Sequence, residues 1–175
     1  LGNLVAKPDI RYQANPVVAI AELTLATHSK WYDKTQKKYK EWTHFHTVKM
    51  IGDVVERSLL QAEKGDVILV QGHLVNSKAS NREIIHATYA HCYPKGYAQS
   101  INQLHCSGKL VENINAVQTE SGQLVAEFPI NISFYSYSPI THQLRSIDLV
   151  RKVHVWGKQA LYLQEHAQSG DELII

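Results

Sequence analysis

The chain has 175 residues, 44% of them hydrophobic and 19% charged, with 9 Gly and 5 Pro, a composition that excludes a disordered, collagen-like or low-complexity protein. Its length accommodates one domain or two small ones, and a formal charge of +2 does not by itself point to nucleic acid. No apolar run approaches the ~20 residues needed to cross a bilayer and no signal peptide is visible, so a soluble chain is expected.

In chain order, a first apolar strand ends in Gly2-Asn3-Leu4-Val5. A period-2 strand follows over residues 17–26, where apolar and small or polar residues alternate. A polar connection over residues 27–47 leads to a strand through Val48. After Gly52, Val54, Val55, Leu59 and Leu60 stand at helical spacing, and Gly65 reads as the left-handed residue that closes this helix. The run Val67-Ile68-Leu69-Val70 is the next strand, and residues 82–91 form the last. Residues 93–100, with Pro94 and Gly96, read as a linker.

The same order then repeats. Gly2-Asn3-Leu4-Val5 returns as Gly108-Lys109-Leu110-Val111, and residues 18–25 have a counterpart in residues 125–132. Val48 to Gly52 corresponds to Val153 to Gly157, and Gly65-Asp66 to Gly170-Asp171. Four correspondences in one order make the chain two copies of one domain. Strand, strand, strand, helix, strand, strand is the plan of the OB-fold. The expected architecture is therefore all-β, with two tandem five-stranded OB-fold barrels, each with one helix between strands 3 and 4. The first occupies residues 1–92, with its first strand incomplete. The second, more diverged, occupies residues 101–175, with its fifth strand missing from this chain.

Charge is informative once divided. Residues 1–92 hold 12 Lys+Arg against 9 Asp+Glu, whereas residues 93–175 hold 6 against 7. Lys30, Lys34, Lys37, Lys38 and Lys40 cluster in the first long connection, among Trp31, Tyr32, Tyr39, Trp42 and Phe45. A core does not explain rings interleaved with lysines, because ammonium groups do not follow them inside. Exposed rings beside cations suit unpaired bases, which stack on the rings while lysines meet the phosphates. Packing of Trp42 and Phe45 on the barrel, with merely solubilising lysines, is the plainer alternative.

Gly2-Asn3-Leu4, residues 8–12 (Pro-Asp-Ile-Arg-Tyr), residues 23–27 (Leu-Thr-Leu-Ala-Thr), Trp31-Tyr32-Asp33-Lys34, Phe45-His46 and Gly52 closely resemble the bacterial single-stranded DNA-binding protein family. The likeness covers residues 1–91, and the second copy resembles a diverged domain of the same kind. It implies sequence-nonspecific binding and protection of single-stranded DNA in replication, recombination or repair. It also implies assembly until four OB-folds surround the strand, which a tandem chain reaches as a homodimer. By position, Trp31 and Phe45 match places where the family stacks bases, and Lys34, Lys64 and Lys78 places where basic contacts are plausible. Trp42, Lys30, Lys38, Lys40 and Lys49 complete the candidate set in the first copy, and Trp156 and Tyr135, with Tyr137 behind them, in the second. Two departures stand out: Ile51 and Ala79 occupy places where the family carries aromatics. Trp156 restores the ring missing at Ile51. Copy one is thus expected to make most of the electrostatic contact, and copy two to add stacking and serve assembly.

The main alternative is an OB-fold assembly or primosome-type accessory protein with weak or lost DNA binding; single-stranded RNA as ligand also stays open. No phosphate loop, His-Glu-x-x-His helix or Gly-x-Ser-x-Gly elbow is present, so no enzyme, cofactor or small-molecule substrate is expected. His91-Cys92 and His105-Cys106 invite a zinc reading, but adjacent strand residues point to opposite faces; His44-x-His46 could share one strand face, but no third ligand sits near it in the sequence. No metal is therefore expected. Replication proteins are possible partners, no membrane is, and the expected compartment is cytoplasmic and nucleoid-associated, or organellar.

Overall fold

The computed structural model describes residues 1–77, 80–96 and 100–175. They fall into two compact units, Leu1–Asn102 with Pro139–His142, and Gln103–Ser138 with Gln143–Ile175. The first follows the strand plan expected of an OB-fold, and the second follows it as far as the strand after its helix.

The first unit comprises β1 (Gly2–Leu4), β2 (Asp9–Gln13), β3 (Val18–Asp33), β4 (Lys38–Ile51), α1 (Asp53–Leu59), β5 (Val67–Asn76) and β6 (Glu83–Tyr93). Its sheet runs β1-β5-β6-β4-β3-β2, and β1 also pairs with β3. The parallel pairing of β4 with β6, Val48 opposite Ile85, closes the barrel. Strand periodicity turns Ala19, Ala21, Leu23 and Leu25 of β3, and Val48 and Met50 of β4, inward. α1 adds Val55 and Leu59, and Leu4, Ile68 and Ala87 complete the packing.

The second unit has β7 (Ser107–Leu110), β8 (Ala116–Gln118), β9 (Leu124–Ser138), β10 (Gln143–Trp156), α2 (Lys158–His166) and β11 (Glu172–Ile174). Its sheet runs β10-β9-β7-β11, with β8 paired to β9. Ala126, Phe128 and Ile130 of β9 form a smaller core with Leu110, Ile114, Ala160 and Ala167.

The repeated motifs have a common physical basis. A Cβ on Gly2 would lie 2.5 Å from the Ala26 carbonyl oxygen, and one on Gly108 would lie 2.9 Å from that of Asn131. Only glycine lets the first strand approach that closely. Gly65 N donates to Leu4 O at 2.9 Å and Gly170 N to Leu110 O at 2.8 Å. The Asp66 carboxylate accepts from Glu63 N, and that of Asp171 from Gln168 N, each at 2.8 Å.

Several expectations need correction. Residues 27–47 are not a loop: β3 and β4 run through them with fourteen register pairs to the end of the ribbon, leaving residues 34–37 as the turn. Residues 18–25 are not the equivalents of residues 125–132. Ile20 pairs with Ile51 and Val125 with Trp156, so the true offset on this strand is 105. The slip of two residues left every side chain on its proper face, because the strand period is two. Gly65 does not cap α1. That helix ends six residues earlier with Leu60 in right-handed conformation, and Gly65 (φ 88°) instead serves the turn into β5. In each unit the first OB strand is split into two short pieces. The last strand of the first unit reaches Tyr93, two residues beyond the predicted end.

Candidate nucleic-acid interface

The β3–β4 ribbon extends past the barrel, and its register assigns each candidate to a face. Asp33, Trp31, Ser29 and Thr27 continue the inward face of β3; Lys38, Lys40, Trp42, His44 and His46 continue that of β4. Lys30, Tyr32, Tyr39, Phe45 and Lys49 lie on the opposite, outer face. The structure thus separates candidates that the sequence placed together: Trp31 with Trp42 on one side, Phe45 with Lys49 on the other. All three rings are accessible, Trp31 at 45%, Trp42 at 57% and Phe45 at 65% exposure. Packing of Trp42 and Phe45 onto the barrel is thereby excluded.

On the inward-continuing face, Lys40 Nζ meets Asp33 Oδ2 at 2.6 Å, and this bond holds the Asp33 carboxyl below its ordinary range. Lys40 is therefore a partly compensated cation. The Asp33 carboxylate also accepts from Thr35 N and Gln36 N, at 2.9 and 3.0 Å, which fixes the turn. Trp42, His44 and His46 follow one another along β4, with ring centroids 6.2 and 6.4 Å apart. His46 is hydrogen-bonded to Thr27 Oγ1 at 2.9 Å. Its pKa is lowered first by burial, then by the neighbouring His44. His46 is thus half-buried and tied to β3 through Thr27.

On the outer face, Lys30 Nζ sits 5.1 Å from the Tyr39 ring centroid, a cation–π contact, and Tyr39 meets Tyr32 edge-on at 5.2 Å. Lys49 stands opposite Glu22. Its charge contributes to lowering the His86 pKa, after burial, so the imidazole beside it in the sheet is neutral near pH 7. Tyr39 stands in the cluster of rings and lysines but is left out of the final candidate set. The signal for it was parity, since it lies six residues before Phe45 on one strand.

The remaining candidates are dispersed. Lys34 is exposed in the ribbon turn beside Lys37, whose φ is 50°. Lys64 is exposed in the turn between α1 and β5, not on the ribbon. Lys78, with Ala79, lies outside the described residues. Ile51 is half-buried on the outer face, at the end of β4 next to α1.

In the second unit, the β9–β10 ribbon also has fourteen register pairs. Ala126, Phe128 and Ile130 face inward, so Tyr135 and Tyr137 face outward, together with Leu144, Val150, Lys152, His154 and Trp156. Tyr135 is 74% and Trp156 55% exposed. Both predicted rings share one face. Lys152, which the sequence reading missed, joins them; counting back four residues from Trp156 would have placed it. Lys152 Nζ bonds Glu127 Oε1 at 2.5 Å and lowers that carboxyl's pKa.

Among the described residues no group of three His, Cys, Asp or Glu side chains is placed to hold a metal ion. Cys92 is half-buried, and burial followed by the Asp66 carboxylate raises its thiol pKa, so it is not a reactive thiolate. No helix among the described residues is long and apolar enough to cross a membrane.

Comparison with known proteins gives two results. Residues 1–91 match the model of the single-strand binding protein family. Among solved structures, the single-stranded DNA binding protein of Thermus aquaticus is similar over both units. A deletion and R190A mutant has TM-score 0.75 and 24% identity, covering 99% of this chain and 80% of that one. The wild type has TM-score 0.75 and 23% identity, covering 99% and 79%. At that identity the likeness establishes the fold.

Proposed function

The chain belongs to the single-strand binding protein family, and from that premise we propose that it binds and protects single-stranded DNA without sequence specificity. The observation that carries this reading is the β3–β4 ribbon, where exposed Trp31, Trp42 and Phe45 alternate with Lys30, Lys34, Lys38, Lys40 and Lys49. A ring stacks on any base, worth ~1–3 kcal/mol each, and lysines meet phosphates regardless of sequence. With Trp31 and Phe45 on opposite faces, the strand wraps the ribbon instead of lying along one side. The first unit supplies most of the charge; the second adds stacking through Tyr135 and Trp156.

In this reading the two units act as two binding domains, joined between the end of β6 at Tyr93 and the start of β7 at Ser107. Two chains pair so that four OB-folds surround the strand, and the role is a binding one without catalysis, at the nucleoid during replication, recombination or repair. Lys64 and Lys78 extend the phosphate path beyond the ribbon. Titration with oligo-dT at low and high salt, followed by tryptophan fluorescence, tests the proposal. The expected result is strong quenching that salt weakens and Trp31→Ala reduces. Absence of quenching at low salt would overturn it in favour of an assembly role.

A further inference from the structure

The end of the second barrel holds a pocket of about 640 Å³, where the β8–β9 hairpin meets the junction of β10 and α2. Trp156 and Leu124 give it apolar walls, Gln118 and Gln123 bring carboxamides, and Lys158 a cation. The volume lies in the range of small-ligand sites, and the mixture of one ring, two amides and one ammonium suits a nucleotide. A ring takes the base face, a carboxamide matches adjacent donors and acceptors on a base edge, and an ammonium takes the phosphate.

The walls are held in place before any ligand arrives. Thr119 N donates to Gln123 O at 2.8 Å, Gly122 N donates to Thr119 O at 2.9 Å, and Gln123 N donates to Thr119 Oγ1 at 3.1 Å. Gln118 Nε2 donates to Gly122 O at 3.2 Å, which sets its carboxamide against the hairpin. Gly157 N donates to Leu124 O at 2.9 Å and ties the end of β10 to the start of β9.

The first unit has the same corner with different chemistry. Its register places Tyr12, Ala19 and Ile51 where the second has Gln118, Leu124 and Trp156. Asp53 stands where Lys158 does, directly after the glycine, and its carboxylate is engaged by Arg57. The first corner thus offers a phosphate a neutral ion pair, where the second offers the Lys158 ammonium.

We propose that this corner is a nucleotide pocket. One base of the bound strand rests against Trp156, with its edge on Gln118 and Gln123 and its phosphate on Lys158, so the second unit adds base preference to an otherwise indifferent protein. The proposal rests on the single-strand reading above, and its test separates the two.

Trp31→Phe with Trp42→Phe leaves Trp156 as the sole tryptophan of the full chain. Saturation with a labelled oligonucleotide is followed independently by anisotropy. Oligo-dT is expected to quench Trp156, whereas an abasic oligonucleotide of equal length is not. Gln118→Leu with Gln123→Leu is expected to shrink the spread of affinities among oligo-dT, oligo-dA and oligo-dC by about fivefold while Trp156 quenching persists. Lys158→Gln should lower the salt slope by ~0.7 for all three. The pocket is overturned if Trp156 is silent at saturation while Trp156→Phe protein is still quenched, if the abasic strand quenches equally, or if the glutamine variant keeps the full spread. No binding of any oligonucleotide by the wild type would instead bring down the single-strand reading itself.

Discussion

The two long ribbons share a backbone and diverge in almost everything the backbone carries. Lys30, Tyr32, Tyr39, Phe45 and Ile51 on the outer face of β3–β4 correspond by register to Tyr135, Tyr137, Leu144, Val150 and Trp156 on β9–β10. The turn residues correspond too, Lys37 with φ 50° and His142 with φ 53°. On the inward-continuing face, exposed Trp31 is matched by buried Ser136. The first ribbon carries exposed rings on both faces and lysines to its tip, while the second gathers its exposed rings on one face, with Phe128 and Phe134 on the other. The lesson is that strand pairing sets where a side chain can point, while the residue at each place decides whether it meets a core, a base or a phosphate.

The largest expected effect concerns the cores. Among the described residues, the buried core cluster of the second unit has seven members against thirteen in the first, so Phe128 carries a large share of its packing. Phe128→Ala should cost about 3–5 kcal/mol. In urea denaturation of the protein with Trp156 as sole tryptophan, its transition should move sharply down. A matching shift in the first unit, read through Trp31 and Trp42 in Trp156→Phe protein, would mean that the two fold as one cooperative body.

Next come the rings. Trp31→Ala and Phe45→Ala should each weaken oligo-dT binding by about 1–3 kcal/mol. Val150→Phe, which places a ring at the Phe45 register of the second ribbon, should strengthen binding by about 1 kcal/mol. If it does nothing, the strand does not visit that stretch of β10.

A smaller effect is expected from pH. Both His46 and His86 have lowered folded-state pKa values, chiefly through burial. The unfolded chain therefore takes up these protons first. Stability of the first unit should be complete above the ordinary histidine range near 6.5 and fall as pH drops through it. Urea midpoints at pH 7.5 and 5.5 measure the loss, and His46→Asn with His86→Gln should reduce it.

The smallest contrast lies between lysines of one ribbon. Lys34→Gln should lower the slope of log affinity against log salt by ~0.7, the single-strand value for one phosphate contact. Lys40→Gln should lower it less, because Asp33 already compensates that charge. Equal slopes would show that DNA displaces Asp33.

Much of this was legible in the residues. Gly2 and Gly108 marked the first strand of each copy, Gly52 and Gly157 preceded each helix, and Gly65-Asp66 and Gly170-Asp171 preceded the next strand, although close approach and the turn role of Gly65 came only with the structure. The repeat, though misaligned by two, still matched residues of like face on β3 and β9, because an even slip preserves the face. Local periodicity and glycine stereochemistry are properties of neighbouring residues, and a sequence displays them directly.

Only the tertiary structure decided how the candidate site is distributed. That Trp31 and Phe45 face opposite ways depends on Trp31 pairing with Lys40, and hence on a four-residue turn hidden in a polar stretch that reads as loop. The compensation of Lys40 by Asp33, the grouping of Lys152 with Trp156 and Tyr135, and the pocket beside Trp156 likewise depend on register across strands. Residues far apart in the chain become neighbours only when the pairing is chosen, and that choice is made by the free energy of the whole barrel.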